Sequence, residues 1–224
     1  MDDRLIDAAP ATDNAPPRRR FFGRLAGAAT LGVAGLLPTL VRAERVAGTS
    51  DGPHWPGTLK GRYHQVVDAY AVNGGAPFDF AYTFVSTNKP GSATSVVVLR
   101  AGALPLALNS DMWAKYKIGE SFKIMDPETK APAVKNPFLH PKPGVMKVDD
   151  AAIDRQLAAG VVFGACNIAL HGQSKALASN AGVSADDAAK EWTANVLPGI
   201  VIIPSGVWGL NRAQAAGCTY CSGG

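Results

Sequence analysis

Metal-ligating and nucleophilic side chains are scarce in this chain. Its 224 residues contain three cysteines and four histidines. His54, His64, His140 and His171 are scattered and lack metal-ligand spacing, so no recognisable zinc set forms with the cysteines and no metal is expected. No Gly-x-Gly-x-x-Gly or phosphate-loop signature follows any candidate strand, which leaves a nucleotide reading weak. There is no Gly-x-Ser-x-Gly elbow, and Ser205 in "PSG" reads as turn chemistry at a strand end. No motif calls for a cofactor. A basic block is also missing. The net charge is +4, and six Arg against four Asp ahead of Glu44 supply half of it. The lysines between Lys115 and Lys147 are dispersed, without interleaved base-stacking aromatics, so nucleic acid is not expected as a partner.

The first 43 residues have the layout of an export signal. A polar opening leads to Arg18, Arg19 and Arg20, then Phe21 and Phe22. A Gly/Ala-rich apolar run from Leu25 to Val41 follows, ending at Ala43 in a small-x-small pattern. Paired arginines before two aromatics resemble a twin-arginine leader, which implies the twin-arginine export machinery as a partner and the periplasm as destination. The alternative is an uncleaved membrane anchor. The run is near the lower limit of about 17 residues for a span, and Pro38 interrupts it. Residues 44–60, rich in Gly, Pro, Ser and Thr, read as a flexible tether, and 61–224 as one domain.

Within that domain strands and helices alternate. "YHQVVDAY" from Tyr63 reads as a strand, "FDFAYTFVSTN" as a helix, and "ATSVVVLRAG" as a strand buried on both faces, because its β-branched run does not alternate. Ser110 is the expected N-cap of a short helix stopped by Gly119. Pro127, Pro132, Pro137, Pro141 and Pro143 forbid a long element in the next stretch, and a segment of that length is expected to be functional or an assembly surface. Asp149 caps a helix ending at Gly160, "VVFGA" is a strand, and a helix follows Cys166. Ser184 and Asp187 form a capping-box pattern for the next helix. "GIVIIPSG", "VWGLNRAQAAG" and "CTYC" complete the series as strand, helix and short strand. The order predicts an α/β fold: an open, mostly parallel sheet with helices on both faces.

Functional groups in such a sheet gather beyond the carboxyl ends of the strands. Cys166 occupies that place, ahead of a helix whose positive end favours the thiolate. Small apolar neighbours, Gly164 and Ala165, equally suit a buried, inert cysteine. Arg100 ends the "SVVVLR" strand and reaches the same rim, either to steady an anion or thiolate or to form a surface ion pair. His171, five residues past Cys166, is turned away from it on a helix. Cys218 and Cys221 have Cys-x-x-Cys spacing, and in an oxidising compartment a local disulfide is expected. Should the last strand lie beside the one before Cys166, either thiol could instead attack a Cys166 persulfide.

The ordered set "VVVLRAGALPLAL", "MWAKYKIGE", "DPETKAPAVKNPF", "LAAGVVFGACNIAL" and "NVLPGIVIIPSGVWGLNRAQAAGCTY" resembles the DsrE/DsrF-like family, in its exported branch. The resemblance covers about Gly61 to Tyr220. It implies a compact α/β domain, a homo-oligomer (trimer or hexamer), and a persulfide-accepting cysteine at Cys166 that takes sulfane sulfur from a donor and passes it to an acceptor. Two positions depart from the family pattern: Ala101 stands where many relatives carry histidine after the arginine, and Cys218 where an aromatic or apolar residue is commoner. Two other readings stand beside this one. In one, the chain is a non-catalytic binding or assembly module with a silent cysteine. In the other, it is a dithiol redox protein acting through Cys218 and Cys221.

Overall fold

The computed structural model describes residues 54–224. The leader residues Arg18, Arg19, Arg20, Phe21, Phe22 and Ala43 lie outside the described residues. Five strands, β1 (Tyr63–Ala69), β2 (Ala93–Leu99), β3 (Val162–Cys166), β4 (Ile200–Ile203) and β5 (Thr219–Ser222), form one sheet in the order β4-β3-β2-β1-β5. Every pairing is parallel. β2 is central, and its "VVV" run is buried on both sides. Val97 and Leu99 join the larger core, while Val96 and Val98 join the smaller one on the opposite face.

The larger core is covered by α1 (Ala76–Ser86), α2 (Ser110–Lys115), α4 (Ile153–Ala158), α5 (Asn167–Leu177) and α6 (Ala185–Ala194), with α3 (Ile118–Phe122) alongside. Phe78, Trp113, Ile153, Leu170 and Trp192 all bury there. The opposite face is covered by α7 (Gly206–Ala215), which carries the chain from β4 at one edge back to β5 at the other. Helices thus flank both faces, as the alternation predicts. Among the described residues no helix is long and apolar enough to cross a membrane.

Several local expectations are corrected. α1 begins earlier than the apolar period suggests, because Gly75 caps it with φ 90° and Pro77 fits the first turn, where no amide donor is needed. Asn109, not Ser110, caps α2, accepting from the Met112 N–H. Gly119 does not stop that helix; it lies in α3, where a Cβ would come within 2.2 Å of the Ala133 carbonyl oxygen. Its role is to let the proline-rich segment pass against the backbone. Asp149 caps nothing either. A short 3-10 turn, Asp149–Ala151, precedes α4, Ala152 is the N-cap, and the Asp149 carboxylate accepts from Gly144 N–H at 2.8 Å. Ser184 caps α6 as expected, accepting from Asp187 N–H at 3.1 Å.

The described end of the stretch read as a tether, from residue 54 on, is docked on the domain: Leu59 packs against the smaller core and the Lys60 carbonyl accepts from the Thr94 hydroxyl at 2.7 Å. Trp55 is 8% exposed and lies in the smaller core, with its ring centroid 6.2 Å from that of Trp208. Gly164 on β3 and Gly209 on α7 leave the slot for it, since a Cβ on Gly164 would meet Trp55 Cζ2 at 2.6 Å. The tail of the tether therefore serves as a wedge between sheet and α7.

Candidate functional site

The chain leaves β3 for α5 on one face and leaves the adjacent β4 for α7 on the other. Diverging connections from neighbouring parallel strands open a crevice at their carboxyl ends. Cys166, paired with Ile203 across that boundary, lies at its mouth. The thiol is the N-cap of α5: Sγ accepts a hydrogen bond from Ala169 N–H at 3.4 Å. The residue is 6% exposed. Ser205 performs the same service for α7, accepting from Trp208 N–H at 3.1 Å. Two helix N-termini, with their partial positive charge, thus converge on one rim.

Arg100 follows β2 between these elements, its amide donating to Ala69 C=O at 2.9 Å. Its side chain is locked. Nε and Nη2 donate to the two oxygens of Asp68 at 2.7 and 2.8 Å. The guanidinium lies 5.2 Å from the Tyr70 ring centroid. The aliphatic stem packs on Gly206, where a Cβ would come within 2.5 Å of Arg100 Cδ. Tyr220 completes the cluster by donating its hydroxyl to Asp68 Oδ2 at 3.0 Å. The Asp68 hydrogen bond, more than the nearby charges of Asp68, Tyr220 and Cys166, holds the Arg100 guanidinium protonated above its ordinary range, against an opposing effect of burial. The Tyr220 phenol is likewise raised, first by its hydrogen bond to Asp68 and then by burial. Arg100 is therefore held in an ion pair with a buried carboxylate, not in the expected surface pair, and Cys166 is near enough to act on its charge. Asp68 neutralises much of the field that the guanidinium would otherwise project.

Asp68, Tyr70, Tyr220 and Gly206 escaped the sequence reading. For Asp68 a signal existed: a lone carboxylate inside the buried strand "QVVDA" needs a cation, and only Arg100 ends the neighbouring strand. For Tyr220 none did, since β5 is distant in sequence from β1.

Cys218 and Cys221 are free thiols. They flank and enter β5 three residues apart, so extended backbone points them to opposite faces: Cys218 joins the smaller core and Cys221 packs against the larger. The expected local disulfide is not formed, because bridging would require the strand to lose its register with β1. Burial pushes the Cys218 thiol up to about 11 and also raises that of Cys221. Neither is poised as a thiolate. The condition for a direct relay to Cys166, a last strand beside β3, is not met within the chain. β5 pairs with β1, three strands from β3, which separates the sulfurs by roughly 14 Å across the sheet alone. His171 lies within α5, five residues past Cys166, and no cluster of three metal-ligating side chains exists among the described residues.

No protein-family model matches the chain, and comparison with curated proteins finds no match.

Proposed function

We propose that this chain is an exported, DsrE-like sulfur-handling protein that accepts sulfane sulfur on Cys166. The observation that carries the reading is the Cys166 sulfur itself, which caps α5 at the strand-switch crevice beside the fixed Arg100. The Cys166 thiolate attacks the outer sulfur of a persulfide or polysulfide donor. A new S–S bond forms on Cys166, the donor's S–S bond breaks, and its electron pair leaves with the donor as a thiolate that takes up a proton. No external oxidant or reductant is consumed. The α5 amides and the Arg100 edge stabilise the anionic terminal sulfur, and transfer to an acceptor thiol reverses the same step. The reading extends to a periplasmic location and a homo-oligomer, trimer or hexamer.

The 6% exposure of Cys166 favours a second reading, a silent cysteine in a binding or assembly module. Intact-mass measurement after polysulfide treatment separates the two. Sulfur-sized increments are expected in the wild type and in the Cys218→Ser/Cys221→Ser double variant, and absent in Cys166→Ser. Increments that persist in Cys166→Ser, or that never form in the wild type, would overturn the carrier assignment.

A further inference from the structure

A groove separate from the Cys166 crevice runs between α1 and the β1–β5 side of the sheet. It has a volume of about 500 Å³, and Phe80, Phe84 and Val148 form its apolar walls. Asp79 is its unusual member. It lies in the first turn of α1 and is 8% exposed, yet nothing in the described protein donates a hydrogen bond to its carboxylate, and Oδ1 is fully enclosed without a partner. Buried carboxylates normally have donors, because losing water without replacement is costly. Burial raises the Asp79 pKa accordingly, and the charge of Lys147 opposes part of that rise.

Lys147 faces the same groove from the end of the proline-rich segment. It is exposed and forms no salt bridge with Asp79 or any other described carboxylate. Gln65 and Thr83, also lining the groove, make no side-chain hydrogen bond within the described protein. One negative and one positive group therefore stand apart in a cleft with apolar walls, with Gln65 and Thr83 beside them and the side chains of all four without a hydrogen-bond partner, while the Cys221 thiol is turned to the Ser222 carbonyl. A simple amine would satisfy Asp79 but meet repulsion from Lys147, and a simple carboxylate would do the reverse. A metal ion would find only Asp79 and Cys221, half of a usual set. A molecule with an ammonium and a carboxylate on one carbon and an apolar substituent satisfies all of them.

We propose that this groove binds a free apolar α-amino acid as its zwitterion, with the ammonium on Asp79, the carboxylate on Lys147 and the side chain on Phe80 and Phe84. The site is independent of the chemistry at Cys166. Calorimetry and thermal melting of the full chain with L-phenylalanine, phenethylamine and 3-phenylpropionate test it. Saturable heat and a raised melting temperature are expected with L-phenylalanine alone. Lys147→Met, at an exposed position, should abolish both while leaving the melting temperature of the unliganded protein unchanged, and Asp79→Asn should abolish binding as well. Equal binding of phenethylamine, or a response retained in Lys147→Met, would overturn the assignment. So would the absence of heat with millimolar L-phenylalanine, including the case in which self-association hides Cys221 from alkylation and a second copy fills the groove.

Discussion

Replacement of Trp55 by alanine is expected to lower the melting temperature by about 10 °C. The indole is 8% exposed and fills the slot formed by Gly164 and Gly209 against Trp208 and Ile203. Truncating a buried tryptophan costs about 3–5 kcal/mol, from lost transfer energy and the void left behind. The Trp55 Nε1–H has no partner, so its removal returns part of that cost and the lower end of the range applies. In a domain of this size each kcal/mol is worth roughly 2–4 °C. Gly164→Ala supplies the complementary test, because its Cβ would stand 2.6 Å from Trp55 Cζ2. Alone it should destabilise by about 1–3 kcal/mol through overpacking. In the Trp55→Ala background it should cost clearly less, since the added methyl enters the vacated space and only Ile203 Cδ1, at 3.0 Å, has still to give way. A Trp55→Ala shift of no more than a degree or two, or additive effects in the double variant, would show that the segment before β1 is not anchored there.

The second large effect is expected at Asp68. The Asp68 side chain is 3% exposed and binds both Nε and Nη2 of Arg100, whose side chain is 27% exposed. Asp68→Asn keeps the shape but leaves the guanidinium without its counter-charge and sets an amide donor against it or against the Tyr220 hydroxyl. Breaking a fully buried pair costs about 3–5 kcal/mol. The partial solvent access of Arg100 reduces this to about 2–3 kcal/mol, or roughly 5–10 °C in melting temperature. The same change should alter chemistry in the opposite sense. Without Asp68 the Arg100 charge acts on Cys166 unopposed, so alkylation of Cys166 at neutral pH should be faster than in the wild type, and slower in Arg100→Gln. Unchanged alkylation in both variants would disconnect the ion pair from the thiol and leave Arg100 with a structural role only.

How much of this was legible beforehand depends on the range over which each feature is encoded. The helix at Ser184 was readable because a cap and its Asp187 partner lie within one turn. The double burial of β2 was readable because a run of β-branched residues states its own environment. Alternation of such segments was enough for a parallel α/β sheet, since short connections and right-handed crossovers leave few other arrangements. The position of Cys166 at a strand end before a helix followed from the same local signals.

What tertiary structure decided is everything that depends on which strand neighbours which. Placing β5 beside β1, and not beside β3, removes the terminal thiols from Cys166 and gives Asp68 its second partner in Tyr220. Close approaches set the roles of Gly119 and Gly164, which read locally as a helix stop and a small neighbour of a cysteine. The long return from β4 through α7 creates the slot that turns Trp55 from a residue of a loose segment into core. The physical reason is common to all three. Capping, periodicity and propensity act within a few residues of chain, and the sequence by itself carries them openly. Strand order and side-chain contacts arise from burial summed over segments far apart in sequence, and no local window contains both halves of such an interaction.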